Sequence, residues 1–508
     1  MMPNNNNDNS SKQIKLGAIM SYVAIFFNIV AGLIYTPWMI RQIGQSQYGL
    51  YILALSVIGF FTMDFGLSSA VSRFISRYNA EGEKEKASNF LGLTFKLYII
   101  IDVAIFLVML FVFIFAGNIY AKLTPEELSQ FKVVFIIVSL SSIAAFPFMP
   151  LNGILISHER FVFLKFADML CKMLAVASII VVLLLGYGLY ALVVVNAVTV
   201  LITIALRLSY LLKNRLISVN FRSKDKTILR SIFQYSAWTT IIVVAQRFIL
   251  NITPTILGAF AGSIQISLFA VALTIVGYTW AFADALNGLF LPKVTRMTLN
   301  SNNPKNVEDL MIKVGRIQLA TTGLLIIGFL TMGKEFMIVW LGEGFKESYY
   351  ITILLMGTGI IAYTQEIGAT MLMAVNKIRY QAFCALTSAV ISIILSLVLS
   401  PLFGAIGSGV AIFGGLLIGN VIGMNLVYYK VLRINVFRFF KECHLKMAFP
   451  MIMASIVGFL LQYLMPVQSL PLFLVKACIL GIVYLIMMWF TALNQYEKKL
   501  FTSILQKA

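Results

Sequence analysis

Long apolar runs, parted by short polar segments, set the rhythm of the chain. Fourteen can be marked, at roughly residues 16–40, 48–72, 89–116, 132–156, 163–185, 189–211, 231–257, 264–291, 316–333, 350–375, 380–400, 405–429, 447–465 and 470–493. Most of them reach the ~20 residues that a helix needs to cross a hydrocarbon layer. In lipid every backbone polar group must be satisfied internally, so runs this long predict helices. The links are too short to hold a folded domain between spans. The first run has no small-residue cleavage pattern behind it and reads as a retained helix rather than a signal peptide. Ahead of it lies an Asn-rich polar tail, residues 1–15, expected to be disordered. One link departs from the pattern. Near residues 304–317, after Pro304, Val307, Leu310, Met311, Val314 and Ile317 fall at helical spacing against charges. That amphipathic segment is expected to lie along the membrane surface.

The runs are not independent of one another. "ALSVIGF" at residues 54–60 returns as "ALTIVGY" at 272–278, displaced by 218 positions, and Thr36-Pro37 returns as Thr253-Pro254, displaced by 217. A basic cluster follows each copy. The first copy covers the end of span one and span two; the second covers the end of span seven and span eight. The repeating unit is therefore six helices, an even number, so both copies enter the membrane from the same side. That is a parallel repeat about an axis along the membrane normal, one plan of secondary transporters. The expected organisation is an N-terminal six-helix lobe at 16–228, a second at 229–430, and an added helix pair with a cytoplasmic tail at 431–508.

Composition agrees. Of 508 residues 60% are hydrophobic and only 12% charged, with mean hydropathy +0.91, against about a quarter charged in soluble domains. The net charge of +19 would suggest nucleic acid if it were clustered, but its placement argues otherwise. With the N-terminus in the cytoplasm, and charges within about four residues of a span's end counted with the adjoining link, inside segments hold 30 of the 39 Lys and Arg. Outside segments hold five: Arg41, Lys122, Lys132, Lys334 and Lys346. Lys96, Lys172, Arg247 and Lys476 lie within spans. The positive-inside rule predicts such a split for a multi-pass protein of the plasma membrane with both termini in the cytoplasm. The positive rim then faces anionic lipid headgroups, not nucleic acid. The longest inside link, about residues 212–230, carries Lys213, Arg215, Arg222, Lys224, Lys226 and Arg230.

Several chemistries find no motif. The four cysteines are scattered, with no metal-ligand or disulfide spacing. No Ser/His/Asp arrangement appears. The glycines of "GAIGSGVAIFGGLLIGNVIG", residues 404–423, lack the Lys-Ser/Thr of a phosphate loop. Gly415, Gly419 and Gly423 recur every four residues, which reads as close helix packing. No cofactor and no enzymatic activity are expected.

The stretch "YGLYILALSVIGFFTMDFGLSSAVSRFISRY", residues 48–78, preceded by "YTPWMIRQIG", resembles the polysaccharide-export group of the multidrug/oligosaccharidyl-lipid/polysaccharide (MOP) superfamily. It is most similar to the Wzx-type flippases. The resemblance rests on Tyr48-Gly49, on Asp64-Phe65-Gly66-Leu67, on Arg73 and Arg77, and on "WLGEGF" at 340–345. It implies a two-lobed V around a central cavity lined by the first two helices of each lobe. It also implies an activity, the movement of a polyprenyl-diphosphate-linked glycan from the inner to the outer leaflet, in company with other polysaccharide-assembly proteins. The physical requirement is separate. The tail can stay in lipid, so the protein need offer only a polar, preferably cationic, path for the headgroup that opens to each side in turn.

Charge at membrane depth is costly and marks candidates for that path. Arg247 lies about sixteen residues into span seven, too deep to snorkel, with no acid at i±3 or i±4 on its own helix; a guanidinium suits bidentate phosphate binding. The competing reading is an ion pair with an acid on another helix. Asn251 extends the same face toward Pro254. Asp64, with Ser68 and Ser72 on its face, and Asp284, near Asn287, are candidates for a sugar hydroxyl, for Arg247, or for a coupling ion, against helix packing by hydrogen bonds. Glu366, beside Gln365, is a third candidate coupling carboxylate. Arg73 and Arg41, at opposite ends of their spans, are placed to meet a diphosphate at the inner and outer mouths, or to anchor lipid headgroups. Asp168 and Lys172, at i and i+4 on span five, read as a structural pair. Lys96 and Lys476 lie close enough to span ends to snorkel. The carboxylates keep a second function open, a cation-coupled multidrug or small-molecule exporter of the same superfamily.

Overall fold

In the computed structural model, residues 25–63, 67–222, 226–300, 304–466 and 469–505 are described, and all their regular secondary structure is helical. Among the described residues ten helices are long and apolar enough to cross a membrane, eleven if the bent pair Glu343–Thr364 and Glu366–Ala374 counts as one span. The chain divides into two compact units, one ending at Ser267 and one beginning at Leu268.

The first unit opens with α1 (residues 25–43) and α2 (Gln45–Phe61). Gly44 turns the chain between them at φ 87°, a left-handed conformation that costs glycine little. The span continues as α3 (Leu67–Ala80), followed by α4 (Lys84–Ile119) and α5 (Pro125–Ala145). The start of α5 is fixed by its sequence: Thr124 accepts from the Glu127 N–H, Glu127 accepts in turn from the Thr124 N–H, and Pro125 takes the first helical position. This capping box satisfies two N-terminal donors that a helix otherwise leaves unpaired. Then come α6 (Pro150–Ser157), α7 (Phe161–Leu184) and α8 (Leu189–Lys213). Helix α9 (Lys226–Phe260) runs through Pro254 without a break and packs along α2. Leu53 meets Gly258, and Asn251 meets Gly59, so the two helices are antiparallel.

The second unit holds most of α10 (Ser263–Asn300), then α11 (Pro304–Leu341), α12 (Ser348–Thr364), α13 (Glu366–Ala374) and α14 (Arg379–Leu416). Within α14 the chain folds back at Gly404 (φ 55°, ψ −135°) and continues through α15 (Met424–Val431). The glycine pattern of 404–423 explains the hairpin. Gly415 sits against Ser392 and Ser388, Gly419 against Ser388 and Cys384, and Gly423 against Cys384. A stripe of one-atom side chains lets the two backbones approach, as close packing in lipid requires. The unit ends with the short α16 (Val436–Phe439), α17 (Lys446–Leu464), α18 (Leu470–Met487) and α19 (Gln495–Leu505).

The segment 304–317 differs from its expected place. It is the first part of the 38-residue α11, and Val307, Leu310, Met311, Val314 and Ile317 are all buried. The helical period is as read, but the apolar face is covered by protein. Phe439, Cys443 and Tyr428 belong to the same core. Charged side chains hold it there. Glu308 accepts from the Asn435 N–H (2.8 Å) and from Arg438 (2.8 Å). Arg316, only 6% exposed, pairs with Glu497 of α19 at 2.6 Å and donates to the carbonyls of Glu442 and Ala492.

Two further charge placements are corrected. Lys476 does not snorkel: its side chain is fully buried, donating to Glu335 Oε2 (2.7 Å) and to the Met465 carbonyl (2.9 Å). Asp168 pairs with Arg207 of α8, not with the Lys172 one turn along its own helix. The close packing of α7 on α8 brings a guanidinium to Asp168, which outcompetes a flexible ammonium on the same helix.

Candidate functional site

The sequence candidates fall into two groups. Arg41, Arg73, Arg247 and Asn251 belong to the first unit; Asp284 and Glu366 belong to the second. Asp64 lies outside the described residues.

The first group centres on the contact of α9 with α2. The Asn251 amide nitrogen would lie 3.1 Å from a Cβ on Gly59, the glycine of the first heptad copy. The missing side chain is what admits a polar residue from α9 at this depth. In the second copy Gly277 faces open space, so the two halves use the same glycine differently. One turn from Asn251, Arg247 is exposed. Among the described residues it makes no ion pair. Arg41 is exposed near the end of α1, and Arg73 is exposed on α3.

Beside this contact, α2, α5 and α8, with Phe146 and Met149 of the turn after α5, line an open cavity of about 240 Å³. Its polar lining is uncharged: Tyr51, Thr62, Ser141, Ser142 and Asn196. Thr62, Ser141 and Asn196 donate to carbonyls of their own helices, which leaves oxygen lone pairs able to receive hydrogen bonds from a guest. Sequence reading passed over these residues because neutral hydroxyls spaced along apolar runs carry no charge signal.

In the second group the span breaks at Gln365, between α12 and α13, with a bend of 52°. The broken turn is held by an amide pair. Gln365 Nε2 donates to Asn425 Oδ1 (2.8 Å), and Asn425 Nδ2 returns a bond to Gln365 Oε1 (3.2 Å) and one to the Val421 carbonyl (2.7 Å). Tyr428 donates to the freed Gln365 carbonyl at 3.4 Å. Glu366 opens α13 in its first turn, where a negative charge is favoured by the helix dipole, and it is exposed. Asp284, also exposed, acts electrostatically on both Glu366 and Tyr363. Tyr363 is 5% exposed, and among the described residues its buried hydroxyl has no hydrogen-bond partner. The structure thus brings Asp284 and Glu366 together, with a phenol that sequence reading missed. The signal was present in the polar block Tyr363-Thr364-Gln365-Glu366 inside an apolar run. Among the described residues no group of three or more His, Cys, Asp or Glu is placed to hold a metal ion.

A chain with this many long apolar helices is a multi-pass membrane protein. The chain belongs to the family described as "Polysaccharide biosynthesis protein", whose sequence profile matches residues 14–290, more than half of its length. No curated protein matches the sequence. Among solved structures it is similar to "Lipid II flippase MurJ, inward closed conformation", at 17% identity and TM-score 0.70 over 92% of this chain and 98% of that one. It is also similar to a multidrug resistance MATE family transporter of the MOP superfamily, at 14% identity and TM-score 0.65 over 82% and 99%. A MOP superfamily transporter from Pyrococcus furiosus matches at 14% identity and TM-score 0.57 over 85% and 96%. At these identities the matches show the fold. The family is consistent with the polysaccharide-export resemblance carried by the residues at 48–78.

Proposed function

We propose that the protein is a flippase. It moves a polyprenyl-diphosphate-linked oligosaccharide from the inner to the outer leaflet of the plasma membrane by alternating access, for cell-surface polysaccharide synthesis. The observation that carries the reading is Arg247, exposed deep in α9 without an ion pair among the described residues, in a chain from a polysaccharide biosynthesis family. A guanidinium at that depth is costly unless something anionic visits it, and a diphosphate takes two parallel N–H bonds from it. Asn251 and the neutral cavity between α2, α5 and α8 supply partners for sugar hydroxyls. Asp64 completes this group as a sugar or Arg247 partner. Arg73 and Arg41 receive the diphosphate at the inner and outer mouths. The layout that goes with this reading has fourteen spans: two six-helix lobes, at 16–228 and 229–430, forming a V, and a helix pair at 431–508. Both termini lie in the cytoplasm, and the basic rim rests on anionic lipids. The work is transport, with no covalent chemistry and no cofactor. Other polysaccharide-assembly proteins supply and consume the cargo.

The Asp284–Glu366–Tyr363 cluster favours one alternative, a cation-coupled exporter of drugs or small molecules. In the flippase reading the same carboxylates bind the coupling ion. The two readings part in a strain lacking the gene, with lipid-linked glycan and surface polymer quantified in one culture. The flippase reading expects complete lipid-linked units to build up while surface polymer falls, both restored by the gene. Unchanged glycan pools with new sensitivity to cationic drugs would reject it in favour of the exporter.

A further inference from the structure

Gly44 and Gly262 lie 218 residues apart, the displacement of the heptad repeat, and both are left-handed, with φ 87° and 90°. Each turns the chain from the first helix of its repeat into the second. These two equivalent turns touch. Ser46 Oγ and Ser263 Oγ are 3.0 Å apart, and both reach one carboxylate oxygen, Glu127 Oε1, at 2.6 and 2.5 Å. Those lengths belong to hydroxyls donating to an ionised acceptor. Each serine has one proton to give, so both go to Glu127, and the short Ser–Ser approach follows from the shared acceptor. The second carboxylate oxygen accepts from the Thr124 N–H at 2.9 Å, which aims the group from the capped start of α5. Gly49 completes the fit: a Cβ there would overlap the Ser263 carbonyl.

A contact between equivalent points of a two-fold repeat lies on the axis that relates the copies. The positive-inside count sets both turns on the extracytoplasmic side. We propose that Glu127 is the latch of the outer mouth, a single carboxylate that ties the two repeat turns together and releases them each time the mouth opens. The inference rests on the alternating-access reading but not on the nature of the cargo.

The test reads opening without cargo. Leu53, fully buried against Gly258, is replaced by cysteine in full-length protein whose exposed Cys478 is replaced by serine. A membrane-impermeant maleimide is then added outside intact cells. The latch predicts slow labelling in this parent and labelling about tenfold faster in Glu127→Ala, the order expected for one charge-assisted hydrogen bond. Glu127→Ala also removes the helix cap, so Ser46→Ala/Ser263→Ala is the deciding variant: it leaves the cap intact and should label as fast. Glu126→Ala should label at the parent rate. Parent-rate labelling of the double serine variant overturns the latch, whatever Glu127→Ala does. That result would leave the flippase reading standing, and unchanged glycan pools in the deletion strain would leave the latch standing.

Discussion

Lys476 and Glu335 offer the sharpest test of how charge is held in this protein. The ammonium is fully buried, bonded to Glu335 of α11 and to the carbonyl of Met465 just beyond α17, while its own helix is α18. One lysine therefore pins three helices. Glu335 keeps 15% of its side chain exposed, so the two partners are not equally stranded when separated. Glu335→Ala leaves a buried ammonium with a single carbonyl, and breaking a buried pair in this way costs about 3–5 kcal/mol. Lys476→Met should cost less, because the carboxylate left behind retains some access to water. Glu335→Leu/Lys476→Met removes both charges at similar volume. Such replacements are often neutral or stabilising, here offset by about 1 kcal/mol for the donor lost to Met465. The expected order of thermal stability is wild type close to the double variant, then Lys476→Met, then Glu335→Ala. The assay is survival of the monodisperse, detergent-extracted protein after heating. A double variant as unstable as the two single losses combined would show instead that the two residues make independent contacts, and the pairing of their charges would then explain nothing.

Further expectations follow from the sites. Arg247→Ala should insert normally and abolish export of surface polymer, with Arg247→Lys retaining a fraction because a point charge cannot make the bidentate contact; wild-type export from Arg247→Ala would remove it from the path. Gly419→Val forces a branched side chain into Ser388 and Cys384, and overpacking of a closed interface costs about 1–3 kcal/mol or more; membrane yield should fall sharply, while Gly277→Val, which faces open space, should leave it unchanged. Asp284→Asn/Glu366→Gln should abolish dependence of transport on an imposed ion gradient while leaving the fold intact; undiminished gradient dependence would exclude both as coupling groups.

What could be read from the sequence followed from short-range physics. The 404–423 glycines pack as their four-residue period implies, because a missing side chain acts where it stands. What failed depended on partners distant in sequence. The 304–317 face is amphipathic in either setting. Only Glu497, 181 residues beyond Arg316, and the core around Phe439 decide that protein rather than lipid covers it. Asp168 had a local partner in Lys172, and the contact that prevailed came from another helix. Lys476 could not announce its burial without Glu335, 141 residues earlier. In the candidate site, charge at depth picked out Arg247, Asp284 and Glu366. The neutral groups around them, Tyr363, Asn425 and the hydroxyls of the α2–α5–α8 cavity, became visible only when folding gathered them.

Movement of a lipid-linked glycan across the bilayer is read most plainly as sidedness. Spheroplasts with and without the protein are treated with an impermeant glycan-cleaving enzyme, and cleaved and intact polyprenyl-linked units are counted in the lipid extract. Loss of the protein should raise the total and drive the cleavable, outward-facing fraction toward zero, with Arg247→Ala behaving as the deletion. An outward-facing fraction that is unchanged without the protein would contradict a flippase.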